Sequence, residues 1–240
     1  MIKVQSLTKR FGDFLAVDDV SFDVEDGAIF GLLGPNGAGK STTIKMMTGI
    51  LKPDFGNVFY DDISLTQNPE EAKKKIGFVP DSPNMFLGMK GKDYLSFVAS
   101  LFSLDRDIAM KRAMDLSERL SLSQNLDEYI VTYSHGMRQK IFLIAALMHD
   151  PDAFILDEPL TGLDPEASYV IKGLMMEHAM KKKSILISTH VLDVAEKLCT
   201  HIGIVDKGKL LFSGTLDELR TMRQEENSSL ETLFLELTAK

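Results

Sequence analysis

Apolar and polar positions alternate at Val20, Phe22 and Val24, and the alternation ends at Asp26-Gly27, a pair that favours a hairpin turn. The next run, Ala28 to Leu33, is short and almost wholly apolar, the pattern of a strand buried on both faces. A glycine-rich loop follows, then Ser41 to Gly49, where Ile44, Met46 and Met47 predict a helix stopped by the glycine. Gly56 to Tyr60 and Ile76 to Val79 read as two further strands, the second ended by Pro80. From about Asp81 to Lys140 the spacing turns helical. Tyr94, Phe97, Val98, Leu101 and Phe102 share one predicted face, and Ala113, Leu116 and Leu120 another, so this stretch reads as an inserted helical subdomain. Strand-like runs return at Ala153 to Leu156 and Ser184 to Ser188, and Ile202 to Phe212 predicts a hairpin turning near Lys207-Gly208. Arg220 to Ser229 is polar apart from Met222 and is expected to be a connector. Beyond it, Leu230, Leu233, Phe234 and Leu237 stand at i, i+3, i+4 and i+7, a helix that either docks on the domain or binds a partner.

Length and composition narrow the classes. The chain has 240 residues, enough for one large domain or a core plus a subdomain. Its net charge of -8 argues against nucleic-acid binding through an overall basic field. The longest apolar run, Ile141 to Met148, falls far short of the roughly 18 residues that span a bilayer. The opening Met-Ile-Lys-Val-Gln alternates like a strand and lacks the form of a secretory signal, and the single cysteine, Cys199, has no internal disulfide partner; both fit a reducing compartment.

The chemistry begins in the glycine-rich loop. Gly34-Pro35-Asn36-Gly37-Ala38-Gly39-Lys40-Ser41 fits G-x-x-x-x-G-K-[ST] between a predicted strand and a predicted helix. Glycines let successive backbone N–H groups point at an anion, and the helix beginning near Lys40 adds its positive dipole end. Lys40 would then neutralise the β- and γ-phosphates, and the Ser41 hydroxyl offers a hard oxygen to Mg²⁺. Such a site also calls for a carboxylate at the end of a neighbouring buried strand. Phe154-Ile155-Leu156-Asp157-Glu158 supplies two, Asp157 to hold Mg²⁺ through water and Glu158 to orient and deprotonate the attacking water. The remaining histidines, His135, His149, His178 and His201, show no metal-ligand spacing with cysteine and read as surface or helix residues.

Together with these two motifs, nearly the whole chain resembles the nucleotide-binding subunit of an ATP-binding cassette (ABC) transporter. Phe11-Gly12 before Ala16-Val17 looks like the aromatic loop that stacks on adenine. Tyr133-Ser134-His135-Gly136-Met137-Arg138-Gln139-Lys140 looks like the signature motif, Gly162-Leu163-Asp164 like the D-loop, and Ser188-Thr189-His190 like the switch histidine that senses a γ-phosphate. Two departures stand out. The commonest signature is Leu-Ser-Gly-Gly-Gln, of which only Ser134 and the second glycine, Gly136, are kept. At the Q-loop, Ile76-Gly77-Phe78-Val79-Pro80 is followed by Asp81 where glutamine is usual; a carboxylate can still serve Mg²⁺ or its water, and the alternative for Asp81 is a helix cap after Pro80. This variant set is similar to cassettes serving bacterial ABC-2-type exporters.

The resemblance implies an α/β P-loop NTPase cassette: a mixed or parallel sheet core, an N-terminal antiparallel β subdomain and an inserted α-helical subdomain. The nucleotide-binding domain would span 1–220, its helical part about 81–140, with a C-terminal helical tail at 221–240. ATP and Mg²⁺ are the implied cofactors. Phe11, Val17, Gly34, Pro35, Asn36, Gly37, Ala38, Gly39, Lys40, Ser41 and Thr42 of one chain, with Ser134 and Gly136 of another, would bind nucleotide. Ser41, Asp157 and Asp81 would face the metal, and Glu158, His190 and Lys40 would carry catalysis. The implied partners are a second nucleotide-binding subunit, identical or different, and an integral membrane permease, which would hold the chain at the cytoplasmic face of the membrane; no nucleic acid is expected. The competing reading is a soluble cassette ATPase acting on ribosomes or DNA, although such proteins usually carry two cassettes or a long coiled-coil insertion. A GTPase is disfavoured because no Asn-Lys-x-Asp motif occurs.

Overall fold

The computed structural model describes residues 1–223 and 228–238. The first two strands, β1 (Ile2–Phe11) and β2 (Phe14–Val24), form a long hairpin. The next strand, β3 (Ile29–Leu33), is buried along its whole length, as its apolar run requires, and leads through the glycine-rich loop into α1 (Lys40–Met47). After it come β4 (Phe55–Tyr60), β5 (Ile63–Ser64), the short helix α2 (Pro69–Lys74) and β6 (Ile76–Val79). The helical stretch consists of α3 (Gly91–Leu101), α4 (Arg106–Arg119) and α5 (His135–Met148), so it ends at Met148, beyond the expected Lys140. The second half alternates: β7 (Ala153–Asp157), α6 (Pro165–Met180), β8 (Ser184–Thr189), α7 (Leu192–Leu198), β9 (His201–Asp206) and β10 (Lys209–Gly214). The last two elements are α8 (Leu216–Arg223) and α9 (Leu230–Thr238).

Two sheets share the strands. The antiparallel sheet runs β2-β1-β4-β5, and the mixed sheet runs β10-β9-β3-β8-β7-β6, parallel except where β10 returns along β9. Ligands in parallel α/β sheets bind beyond the carboxyl ends of the strands. Here β3, β8 and β7 are neighbours, and their carboxyl ends carry the phosphate loop, Ser188-Thr189-His190 and Asp157-Glu158. Register makes the alignment specific: Leu33 pairs with Thr189, and Asp157 with Ser188.

The Asp26-Gly27 turn differs from its hairpin expectation. It carries the chain out of β2 in the antiparallel sheet into β3 at the centre of the other, so the strands it joins do not pair. Lys207-Gly208 does close a hairpin; both residues have positive φ, +48° and +80°, the backbone of a type I′ turn.

The face expected on α3 is rotated. Tyr94, Leu95, Val98 and Ala99 are buried, whereas Phe97 and Leu101 are exposed. Packing decides this, because α3 lies against both α4 and α5 and must bury two adjacent ridges. The Tyr94 ring stacks on Phe86 before α3 and meets Phe142 of α5 in a tilted contact, each at 5.1 Å. Ala113, Leu116 and Leu120 are buried as expected.

At the C-terminus the docking alternative describes the helix. Leu230 and Leu233 are fully buried in a small core with Ala195, Ile202, Ile204 and Leu219. Of the expected connector, Arg220 to Arg223 belongs to α8, and 224–227 lies outside the described residues. Among the described residues no helix is long and apolar enough to cross a membrane.

Candidate nucleotide site

The phosphate loop is held open by backbone that tolerates no side chain at Gly34 or Gly39. Gly39, which precedes α1, has φ +105°, and a Cβ there would stand 2.7 Å from the Ala16 carbonyl oxygen. A Cβ on Gly34 would come within 2.3 Å of the Val205 carbonyl oxygen, far inside van der Waals contact. The β9–β10 turn braces the loop from behind, Gly208 N–H donating to Ala38 O at 3.0 Å. No acidic residue occupies the first turn of α1, so its N-terminal field is unopposed from within the helix.

Lys40 is 7% exposed, and its ammonium donates to the carbonyls of Gly34 at 2.6 Å and Pro35 at 3.1 Å. Burial pulls its pKa below the ordinary lysine value, opposed by the charges of Glu158 and then Asp157. A cation is thus kept ready at the helix start with carboxylates close by. A cavity of about 360 Å³ opens in front of it, lined by Phe14, Ala16, Asn36, Gly37, Ala38, Gly39, Lys40, Ser41, Thr42, Asp81 and Glu158. Gly34 and Pro35 meet Lys40 from behind the lining. A larger groove of about 540 Å³ between α4 and α6 contains none of these residues.

Glu158 follows β7 with φ +49°, a conformation uncommon for a residue with a side chain. Its N–H points at Ser188, 3.2 Å from the carbonyl oxygen and 3.1 Å from the hydroxyl. Its Oε1 is 2.9 Å from Nδ1 of His190, whose ring is largely open to solvent. Asp157, 5% exposed, accepts a hydrogen bond from the Ser188 hydroxyl. The geometry therefore gathers Lys40, Ser41, Glu158 and Asp81 on one cavity, with Asp157 immediately behind and His190 bonded to Glu158.

Other expected residues are placed differently. Phe11 and Val17 do not line the cavity: Phe11 is half-exposed at the end of β1, and Val17 is buried. Across the Gly12-Asp13 turn Phe11 pairs with Phe14, and it is Phe14 that lines the site. The alternative of a helix cap at Asp81 fails, because α3 starts only at Gly91 with Lys90 before it. Of the histidines expected on the surface or in helices, His178 is a helix residue, 4% exposed within α6, and His149 follows α5 partly buried; burial drives both imidazole pKa values down to about 4.

Ser134 and Gly136 form a second cavity, about 410 Å³, with His135, Met137, Lys140, Gly162 and Asp164. Ser134 caps α5, its hydroxyl accepting from Met137 N–H at 3.2 Å, and Asp164 caps α6, accepting from Ala167 N–H at 2.7 Å. That backbone bond lowers the Asp164 pKa. The His135 ring lies against Gly162, where a Cβ would stand 2.9 Å from its Cδ2. The two cavities share no residue.

A family model described as ABC transporter matches residues 17–161, which run from β2 across the phosphate loop, the helical region and the paired carboxylates. The chain belongs to the ABC transporter family. It is an ATP-binding subunit of such a transporter, built as an ABC ATPase cassette. It is 32% identical to the ABC transporter ATP-binding protein NatA of Bacillus subtilis (strain 168), with 98% of this chain and 97% of that protein covered. Against the linearmycin resistance ATP-binding protein LnrL of the same organism it is 34% identical, covering 91% of this chain and 70% of the relative. Among solved structures, one titled "Structure of ATP binding subunit of ABC transporter" superposes with a TM-score of 0.95 at 31% identity, covering 99% of both chains.

The donor set of this ABC cassette is compatible with Mg²⁺. The Ser41 hydroxyl and the Asp157 and Asp81 carboxylates are hard oxygens around a helix N-terminus. Mg²⁺ binds through one or two such groups together with substrate phosphates and water, so it does not need a dedicated protein cage.

Proposed function

We propose that this chain is the Mg²⁺-dependent ATPase that powers a separate integral membrane subunit, working as a dimer and serving export. The observation that carries the reading is the division of labour between two cavities on one chain. One has a buried cation, a helix N-terminus and a paired carboxylate; the other has a second helix N-terminus with Ser134 as its cap. In a dimer of antiparallel halves, Ser134 and Gly136 of one copy would close the cavity of the other around the γ-phosphate.

Each residue's part follows from its chemistry. Backbone N–H groups of the loop and the α1 terminus hold the phosphates, with Lys40 giving up its carbonyl partners for phosphate oxygens. The aromatic pair at the β1–β2 turn offers a face for the adenine ring. Ser41, Asp157 and Asp81 would hold Mg²⁺, which supplies charge neutralisation on the phosphates when bound. Glu158 takes the proton of the attacking water as its oxygen bonds to the γ-phosphorus and the bond to the ADP oxygen breaks. A His190 ring carrying both N–H protons would hold the Glu158 carboxylate from Nδ1 and donate from Nε2 to the γ-phosphate. Loss of that phosphate removes ligands shared by the two copies and favours opening, a differential-affinity switch. Export, rather than import, is supported by relatives named for linearmycin resistance and Nod factor export. Attachment to the cytoplasmic face of the membrane would come through the permease.

Steady-state hydrolysis tests the reading. Turnover is expected with Mg²⁺ and absent with excess EDTA, and Glu158→Gln should lower kcat at least about 100-fold, the scale of general-base catalysis. Unchanged turnover in Glu158→Gln sinks the assignment of the base. Stimulation by ribosomes or duplex DNA would instead favour a soluble cassette acting on them.

A further inference from the structure

We propose that Ser188 is a positioning residue for hydrolysis, a single hydroxyl that fixes the Asp157 carboxylate and the Glu158 backbone relative to each other. The proposal rests on the assignment of Glu158 as the base and extends it to a fully buried residue that does not line the cavity.

Strand register places Ser188 beside Asp157 and Glu158. In the parallel pair β7–β8, Asp157 lies opposite Ser188, so the last residue of β7 meets the next-to-last residue of β8. Ser188 is fully buried, where a hydroxyl without partners would be costly. It has two partners, both on the neighbouring strand end. The hydroxyl donates to Asp157 Oδ1 and accepts from Glu158 N–H at 3.1 Å. A serine hydroxyl has one proton and two lone pairs, so it can do both at once.

The second bond falls where the backbone needs support. Glu158 has φ +49°, in the left-handed region that side-chain-bearing residues seldom adopt. A conformation of this kind persists only when its surroundings impose it. Its N–H is shared between the carbonyl and the hydroxyl of Ser188. The turn at Glu158 aims its carboxylate toward the cavity and toward His190 Nδ1 at 2.9 Å. The end of β8 therefore grips the base twice: Ser188 sets its backbone, and His190 two residues later meets its carboxylate. Without the hydroxyl, Asp157 loses a buried donor and Glu158 loses one of the bonds that hold its turn.

This predicts a specific kinetic pattern. Phosphate binding depends mainly on the loop that follows the adjacent strand β3 and on Lys40 at the start of α1, so ATP affinity should survive. The orientation of the base should not. Ser188→Ala is expected to lower kcat roughly 10- to 100-fold, as for a lost hydrogen bond to a charged group with its knock-on misalignment. ATP dissociation constants should stay within about threefold, a change below 1 kcal/mol. Ser188→Thr, which restores the hydroxyl, should recover most of the rate, whereas Ser188→Cys, near in size but a weak donor, should not.

The experiment measures kcat and calorimetric ATP affinity for the full chain and for Ser188→Ala, Ser188→Cys, Ser188→Thr and Glu158→Gln, with thermal melts of each to confirm folding. Low kcat with retained affinity in the alanine or cysteine variant, and rescue by threonine, supports the proposal; if the alanine variant does not fold, the cysteine variant carries the comparison. It is overturned if a folded variant lacking the hydroxyl turns over within twofold of the parent, if affinity falls as much as kcat, or if threonine fails to rescue. Normal turnover in Glu158→Gln would be a different failure, that of the base assignment itself.

Discussion

Replacing Lys40 by alanine isolates the charge at the centre of the phosphate site. Lys40 is buried, and its ammonium makes two hydrogen bonds, to Gly34 O at 2.6 Å and Pro35 O at 3.1 Å. Both acceptors are neutral carbonyls, and burial already disfavours the charged form. Exchanging those carbonyls for anionic phosphate oxygens is therefore a net gain reserved for the bound state. A hydrogen bond to a charged group contributes about 1.5–3 kcal/mol, so losing two costs about 3–6 kcal/mol of binding. That weakens ATP roughly 100- to 10,000-fold. The free protein should barely notice, because removing the side chain also removes its desolvation cost. Titration calorimetry measures the affinity, and a melt without nucleotide serves as the control, expected within a few degrees of the parent. Lys40→Arg should bind almost as poorly, since the planar guanidinium does not fit a slot shaped for an ammonium. ATP affinity within threefold of the parent in a folded Lys40→Ala protein refutes the reasoning.

Acid should destabilise the fold through two histidines, one buried and one partly buried. His149 and His178 are held near a pKa of about 4, against 6.5 when unfolded, by burial and then by Lys183, so the unfolded chain binds more protons in this window. Stability is thus lost as pH falls below 6.5, roughly 2 kcal/mol per histidine by pH 5, and His178→Phe should recover about half of that loss in urea titrations. Gly34→Ala drives a Cβ into Val205 O and should cost about 1–3 kcal/mol of stability together with ATP binding; an unshifted melt would contradict the close approach. Changing Phe11 and Phe14 together to alanine should weaken ATP by about 1–3 kcal/mol, the range for base stacking, and leave inorganic triphosphate unaffected; equal weakening of both ligands would remove the adenine contact from the account.

The loop motif and the strand ends were legible because their chemistry is local. Glycine spacing, one lysine and a hydroxyl specify an anion site within eight consecutive positions, and the buried run before Asp157 declares a central strand. What the sequence hid depends on pairing between distant segments. Which sheet β2 joins cannot be read from Asp26-Gly27, because the turn signal is the same whether the next strand pairs or departs. The rotation of α3 is set by contact with both α4 and α5, which a single helical wheel does not contain. Phe14 was eclipsed by Phe11, although an aromatic on each side of Gly12-Asp13 is itself the mark of a hairpin tip with a shared face. Ser188 could be assigned a role only once β7 and β8 were known to be neighbours in the register that sets it opposite Asp157.

The central claim is that one chain holds two halves of different sites and that ATP joins them. The direct measurement is the mass of Glu158→Gln in solution by light scattering, with Mg²⁺ and with or without saturating ATP. The account predicts monomer without nucleotide and dimer with it, and monomer in both conditions once Gly136→Asp places a carboxylate where the γ-phosphate of the partner copy would lie. A Glu158→Gln protein that binds ATP yet remains monomeric, or a dimer indifferent to Gly136→Asp, would contradict it.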